Sequence, residues 1–160
     1  MVLKSAAEST IPSPRQNPAA CSRSSPGVRI TTEDDLGHAM TAAARVSNHV
    51  LSLISENGAQ AVSGNWVRAR TLGVIGGVDY QRTGRIERVN VALVEKLLGE
   101  GVIPLVGNIG WNAVGKAYNL SSTELAVTVG TAMKAAKLFL IGTEPGIPAA
   151  GTPIMRQNCR

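Results

Sequence analysis

From Leu36 onward, apolar and small side chains return at helical intervals, at Leu36, Met40, Ala43, Ser47, Val50, Leu51 and Ile54. Steps of three and four residues line one face of a helix, so the pattern predicts a long helix over about 33–56. Thr31 or Thr32 supplies a capping hydroxyl, and Glu33, Asp34 and Asp35 oppose the positive end of the helix dipole. Asn57-Gly58 closes the helix. Ala59 to Val62 then reads as a short strand ending at Ser63-Gly64-Asn65, and Trp66 to Arg70 as another. Val78-Asp79-Tyr80 and Arg85 to Val89 flank the polar Arg82-Thr83-Gly84. This predicts a β-hairpin in which Gly84 supplies a backbone angle that other residues avoid.

Asn90 caps a second helix, with Leu93, Val94, Leu97 and Leu98 on one apolar face, and Gly99 to Gly101 release it into the strand 102–106. Ser121 and Glu124 have the spacing of a capping box for a third helix carrying Leu125, Ala126, Val129, Met133 and Ala136. Leu138-Phe139-Leu140-Ile141 follows as a buried strand. Strand, helix, strand, helix, strand is the alternation of an α/β fold, with helices in layers on a mainly parallel sheet. With one Phe, two Tyr and two Trp in 160 residues, the core must be built from Ala, Val, Leu and Ile, which suits such layers. This length holds a single domain.

Residues 1–27 are rich in Ser, Pro and Ala, with Glu8 the only acid, and are predicted to be a disordered leader. The ordered domain is expected over 28–147, followed by a flexible tail over 148–160. Neither a secretory apolar segment nor a membrane-length apolar run is present, which points to a cytoplasmic protein. The alternative is a plastid or mitochondrion, with the acid-poor leader as transit peptide. The formal charge is +5, but Lys4, Arg15, Arg23, Arg156 and Arg160 lie in the two ends. No basic cluster alternates with aromatics, which argues against a nucleic-acid surface. Cys21 and Cys159 lie in the same ends with no second cysteine nearby, so neither a zinc site nor a disulfide framework is expected.

Candidate chemistry changes the picture mainly by elimination. Gly110 to Lys116 has the spacing of a phosphate-binding P-loop. Ala117 stands where a magnesium-holding hydroxyl is needed, however, and the next helix signal comes only at Ser121, too late for its amides to cradle phosphate. Gly73, Gly76 and Gly77 lack dinucleotide-binding spacing. Arg70 to Gly76 approaches the acetyl-CoA pyrophosphate motif of N-acetyltransferases but has one residue too many. His38 and His49 are eleven positions apart on the predicted long helix, too far to share a metal, and no G-x-S-x-G elbow occurs. No catalytic residue is assigned.

The order of segments is more informative. GVRIT before a long helix, VSGN, GVDYQRTGRIERVN, a short helix, VIPLVGNIGWNAVGKAYNLSSTELAV and KAAKLFLIG together resemble the amino-acid-kinase-like domain of N-acetylglutamate synthases, and more distantly the acetylglutamate kinases. The resemblance covers about residues 27–147. Its most specific pieces are Gly77 to Tyr80 with Thr83-Gly84-Arg85, and Tyr118-Asn119-Leu120 followed by Ser-Ser-x-Glu.

This resemblance implies a three-layer αβα, amino-acid-kinase-like fold, incomplete at both ends, and a part of an enzyme that makes N-acetylglutamate from acetyl-CoA and glutamate in arginine biosynthesis. It implies that Arg29 and Asn119 hold an amino-acid carboxylate, a task that a guanidinium fork and an amide donor both suit. Read without the resemblance, Arg29 is a solvated charge before a helix and Asn119 a turn residue capping backbone. Gly64, Asn65, Gly107 and Asn108 are candidate ligand-loop residues. Thr123 stands where the kinases place a catalytic aspartate, which disfavours phosphoryl transfer. The family's first strand and Gly-rich loop, and its acetyltransferase domain, have no counterpart in the chain. It therefore reads as an internal fragment, a short gene model or a decayed paralogue, with no cofactor of its own and acetyl-CoA as substrate of the complete family members. Expected partners are glutamate, N-acetylglutamate or arginine, and further copies or full-length subunits. The other classes in view are a non-enzymatic ligand-binding or interaction module and a residual amino-acid kinase.

Overall fold

The computed structural model describes residues 28–141, 147–149 and 152–154. The predicted leader and most of the predicted tail lie outside these residues. Helix α1 spans Glu33–Glu56, as the periodicity requires. Thr32 is its N-cap, and a complete capping box joins it to Asp35. Asp35 N–H donates to Thr32 Oγ1 at 3.1 Å, while the Asp35 carboxylate accepts from Thr32 N–H at 3.2 Å. Asn57 is the C-cap, and Gly58 beyond it has φ +72°, which glycine adopts without strain.

The Thr32 amide, then the Thr32 hydroxyl, hold the Asp35 carboxyl below its ordinary pKa. A depressed carboxyl pKa stabilises the fold above the unfolded value of about 4, and this contribution disappears as pH falls through the folded value. Asp35→Asn is therefore expected to make acid unfolding shallower below about pH 4. Urea titrations of both proteins across that range would test it, and identical acid limbs would contradict the assignment.

Strand β1 (Gln60–Ser63) runs parallel to β6 (Val102–Leu105), in register from Gln60 opposite Val102 to Ser63 opposite Leu105. Between them the chain makes β2 (Val67–Thr71), β3 (Val74–Ile75), β4 (Val78–Asp79), β5 (Gly84–Val89) and α2 (Val91–Gly99). After β6 come β7 (Ile109–Trp111), β8 (Ala117–Asn119) and α3 (Ser122–Ala132). A second sheet has the order β5-β2-β7-β8, in which β2 is antiparallel to β5 and parallel to β7, and β7 is antiparallel to β8. The α/β class stands, with a parallel pair beside a mixed sheet. Strands β9 (Ile147–Ala149) and β10 (Thr152–Ile154) form a short antiparallel pair.

The core joins Trp66, Val67 and Ala69 from β2 and its approach to Val94, Val106, Tyr118, Leu120, Leu125 and Val129. Val94 of α2 and Leu125 and Val129 of α3 thus share one core with the mixed sheet. Trp66 buries its ring and donates its indole N–H to Leu105 O at 2.9 Å, which fastens β2 to the end of β6.

Three expectations require correction. The hairpin predicted between Val78–Tyr80 and Arg85–Val89 is not formed. β4 instead turns back on β3 through Gly76 and Gly77, at φ +58° and +78°, and β5 pairs with β2 from Val67 opposite Val89 to Thr71 opposite Gly84. Two consecutive glycines make the tighter two-residue turn, and the intervening polar residues serve tertiary contacts. Gly84, second, does not occupy the positive-φ region; it is needed for space, because a Cβ there would lie 2.6 Å from Tyr118 Cβ. Third, Leu138 to Ile141 is neither a ladder strand nor buried, and Phe139 is 73% exposed. An apolar run is buried only where a sheet edge receives it, and no edge of the described sheets pairs with this one as a strand.

Candidate functional site

The polar residues withheld from the predicted hairpin meet below the start of α1. Thr31 pairs with Gln81 and Thr83 with Asn119 through isolated parallel bridges, so three distant segments converge. Thr31 is 1% and Thr83 7% exposed, so their polar atoms need partners within the protein. Thr31 N–H donates to Thr83 Oγ1 at 2.9 Å. Thr83 Oγ1 lies 2.8 Å from Arg29 O and 3.1 Å from Thr31 Oγ1. One hydroxyl carries one proton, so Thr83 donates to the Arg29 carbonyl, which only accepts, and receives the Thr31 hydroxyl proton. The amide of Asn119 donates to Thr31 Oγ1 at 3.2 Å, and its oxygen accepts from Asn108 Nδ2 at 3.1 Å. The network is satisfied throughout.

This network floors a cleft of about 330 Å³ whose walls include Arg29, Thr83, Asn119, Ser121 and Glu124. The two residues selected for carboxylate recognition, Arg29 and Asn119, therefore share one cleft. The Arg29 side chain is 71% exposed, and its guanidinium lies 3.7 Å from the Asp35 carboxylate. Beside it, Arg82 is paired with Glu33, and its backbone N–H donates to Thr31 O at 2.9 Å.

Ser121 caps α3 by accepting from Glu124 N–H at 3.4 Å. The reciprocal half of the predicted capping box is not made, so the carboxylate of Glu124, a residue that borders the cleft, has no hydrogen-bond partner among the described residues. Sequence reasoning passed over Thr31, Thr83 and Glu124 as site residues. The signal at Thr83 was its place in Thr-Gly-Arg, read there as turn chemistry.

The remaining candidates separate. Gly64 and Gly107 border a hollow of about 300 Å³ beside α1. Gly64 and Asn65 border another of about 440 Å³. Asn108 does not line the Arg29–Asn119 cleft but is hydrogen-bonded to Asn119. The P-loop-like stretch is a hairpin. Gly110 lies in β7, Asn112 Oδ1 accepts from Val114 N–H and Lys116 N–H across the turn, and the chain leaves Lys116 directly into β8. His38 and His49 are exposed on α1. No helix among the described residues is long and apolar enough to cross a membrane.

The fold is an α/β domain with a cleft at the junction of a mixed sheet and two helix starts. The model of the Amino acid kinase family matches residues 7–154, and the chain belongs to that family. It is 37% identical over 130 residues to an amino-acid acetyltransferase from Vibrio cholerae, a match covering 76% of this chain and 29% of the relative. It is 40% identical over 86 residues to the amino-acid acetyltransferase of Ralstonia nicotianae, covering 54% of this chain and 19% of that one. The structure resembles N-acetylglutamate synthase from Neisseria gonorrhoeae complexed with coenzyme A and N-acetyl-glutamate, with a TM-score of 0.74, 30% identity, and coverage of 80% of this chain and 30% of that one. The same enzyme with coenzyme A and L-arginine gives a TM-score of 0.73 at 28% identity, covering 79% of this chain and 32% of that one. The chain thus spans less than a third of the length of these relatives.

Proposed function

We propose that this chain is the kinase-like, ligand-binding part of an N-acetylglutamate synthase, serving regulation and assembly and catalytically silent by itself. The observation that carries the reading is the single cleft shared by Arg29 and Asn119. A ligand carboxylate replaces Asp35 as the partner of the Arg29 guanidinium, and Asn119, whose amide has a second N–H, adds a further donor. The unpartnered Glu124 carboxylate gives the cleft a negative wall. A ligand bearing both a carboxylate and a cation therefore fits better than an N-acylated one, which favours arginine or glutamate over N-acetylglutamate. Acetyl transfer from acetyl-CoA to glutamate is assigned to the complete enzyme, and further copies or full-length subunits are the proposed protein partners. A residual kinase is disfavoured because Lys116 leads into strand β8 rather than a helix and Thr123 offers no carboxylate for magnesium.

Calorimetry of the 160-residue chain with arginine, glutamate and N-acetylglutamate tests the binding role. Binding is expected for at least one, and Arg29→Ala is expected to weaken it about tenfold or more, the worth of one charged hydrogen bond. No heat with all three ligands, or an unaltered affinity in both Arg29→Ala and Asn119→Ala, would remove the site. Turnover of acetyl-CoA and glutamate by the purified chain would overturn the claim of silence.

A further inference from the structure

The parallel pair β1 and β6 ends at Ser63 and Leu105, and the space beyond the carboxyl ends of parallel strands is where α/β folds place ligands. Two hollows lie there, with Ser63, Gly64 and Trp111 as walls of both. One, of about 440 Å³, has the polar residues Asn65, Arg68 and Asn112 among its walls. The other, of about 300 Å³, lies against α1 and has Met40, Ala43, Ala44 and Ile109 among its walls.

Arg68 is half-buried on β2, opposite Trp111 in the β2–β7 register. Its Nη1 donates to Asn112 O at 2.8 Å, which fixes the guanidinium, and none of the described acids pairs with it. A guanidinium has five N–H donors, so most remain for an anion. Gly64 stays open because a Cβ there would stand 2.4 Å from the buried Trp66 ring. The Asn112 turn thus borders one hollow and α1 the other.

We propose that these hollows form a second ligand site, distinct from the Arg29–Asn119 cleft, for an amphipathic carboxylate whose head pairs with Arg68 and whose apolar body lies along Trp111 toward α1. The cation is seated and has no acidic partner among the described residues, and the adjoining apolar hollow is of the size that small ligands fill. Head and body must be joined in one molecule, because each hollow alone is too open to retain a small ion or a short hydrocarbon.

The test is titration of the full chain with octanoate, read by calorimetry and by the fluorescence of half-buried Trp111, with 1-octanol and octyltrimethylammonium as matched controls. Saturable octanoate binding is expected, at least tenfold tighter than either control. Arg68→Gln should lose at least tenfold in affinity and Arg68→Lys less. Ala44→Trp, which fills the apolar hollow from the exposed side of α1, should weaken octanoate without altering the far-UV spectrum. Arg29→Ala and Asn119→Ala should leave octanoate binding unchanged, so this site and the amino-acid cleft fail or survive separately. Absence of octanoate binding, equal binding of octanol, or wild-type affinity in both Arg68→Gln and Ala44→Trp would overturn the proposal.

Discussion

Replacing Thr83 by valine is expected to destabilise the chain by about 2–4 kcal/mol, a large share of the stability of an ordinary domain. Valine keeps the shape of threonine and deletes only the hydroxyl. That hydroxyl accepts from Thr31 N–H at 2.9 Å and donates to Arg29 O at 2.8 Å. The Thr31 N–H and hydroxyl, which both lose their acceptor, belong to a residue that is 1% exposed, and water does not replace the lost partner without opening the structure. Each abandoned buried group costs about 1–3 kcal/mol. Thr83→Ser retains the oxygen and should stay within about 1 kcal/mol of the parent. The same hydroxyl holds the backbone of Arg29, so Thr83→Val should also weaken the amino-acid binding proposed for the cleft. Urea midpoints for the three proteins, with calorimetry on the folded ones, would decide it. A valine variant as stable as the parent would show that the three-segment junction does not hold this face together.

The local elements were legible because their causes are local. Thr31 or Thr32 before three acids, Asn57-Gly58, Asn90 and Ser121 each announce a helix end through chemistry within a few residues, and the structure places caps at Thr32, Asn57, Asn90 and Ser121. The errors arose where the deciding partner is distant. Val78 and Asp79 pair with Val74 and Ile75 because Gly76-Gly77 forms the turn, while Thr83 is drawn 52 positions back to Thr31 and Arg85 is placed opposite Arg70. The composition of Arg82-Thr83-Gly84 does not distinguish a solvent turn from a buried polar junction. Leu138 to Ile141 shows the converse, since hydrophobicity signals a wish for burial but not the presence of an edge to receive it. For the site, Arg29 and Asn119 came from the order of motifs, and only the fold brought them to one cleft. Glu124 stayed hidden because its spacing from Ser121 reads as a capping box, of which the structure uses the amide half.

Gly84→Ala is expected to cost about 3 kcal/mol, at the upper end of what one added methyl group does to a filled core. The new Cβ would stand 2.6 Å from Tyr118 Cβ and 3.1 Å from Arg70 O. Neither atom yields by rotating a side chain: one is attached to the backbone of β8, and the other is the carbonyl of β2. Relief requires β5 and β8 to separate, which also disturbs Thr83 against Asn119. Gly110→Ala meets a softer obstacle. Its Cβ would lie 2.8 Å from Ala69 Cβ and 2.8 Å from Leu120 Cδ1, and the second of these is the end of a rotatable chain. A Leu120→Ala background separates the two cases. There Gly110→Ala should cost about 1 kcal/mol less than in the parent, while the cost of Gly84→Ala should change by less than about 0.5 kcal/mol. Equal relief of both would mean that Leu120, rather than the approach of the β8 backbone, sets the requirement for glycine at position 84, and that the junction beneath the Arg29 cleft is held by side-chain packing alone.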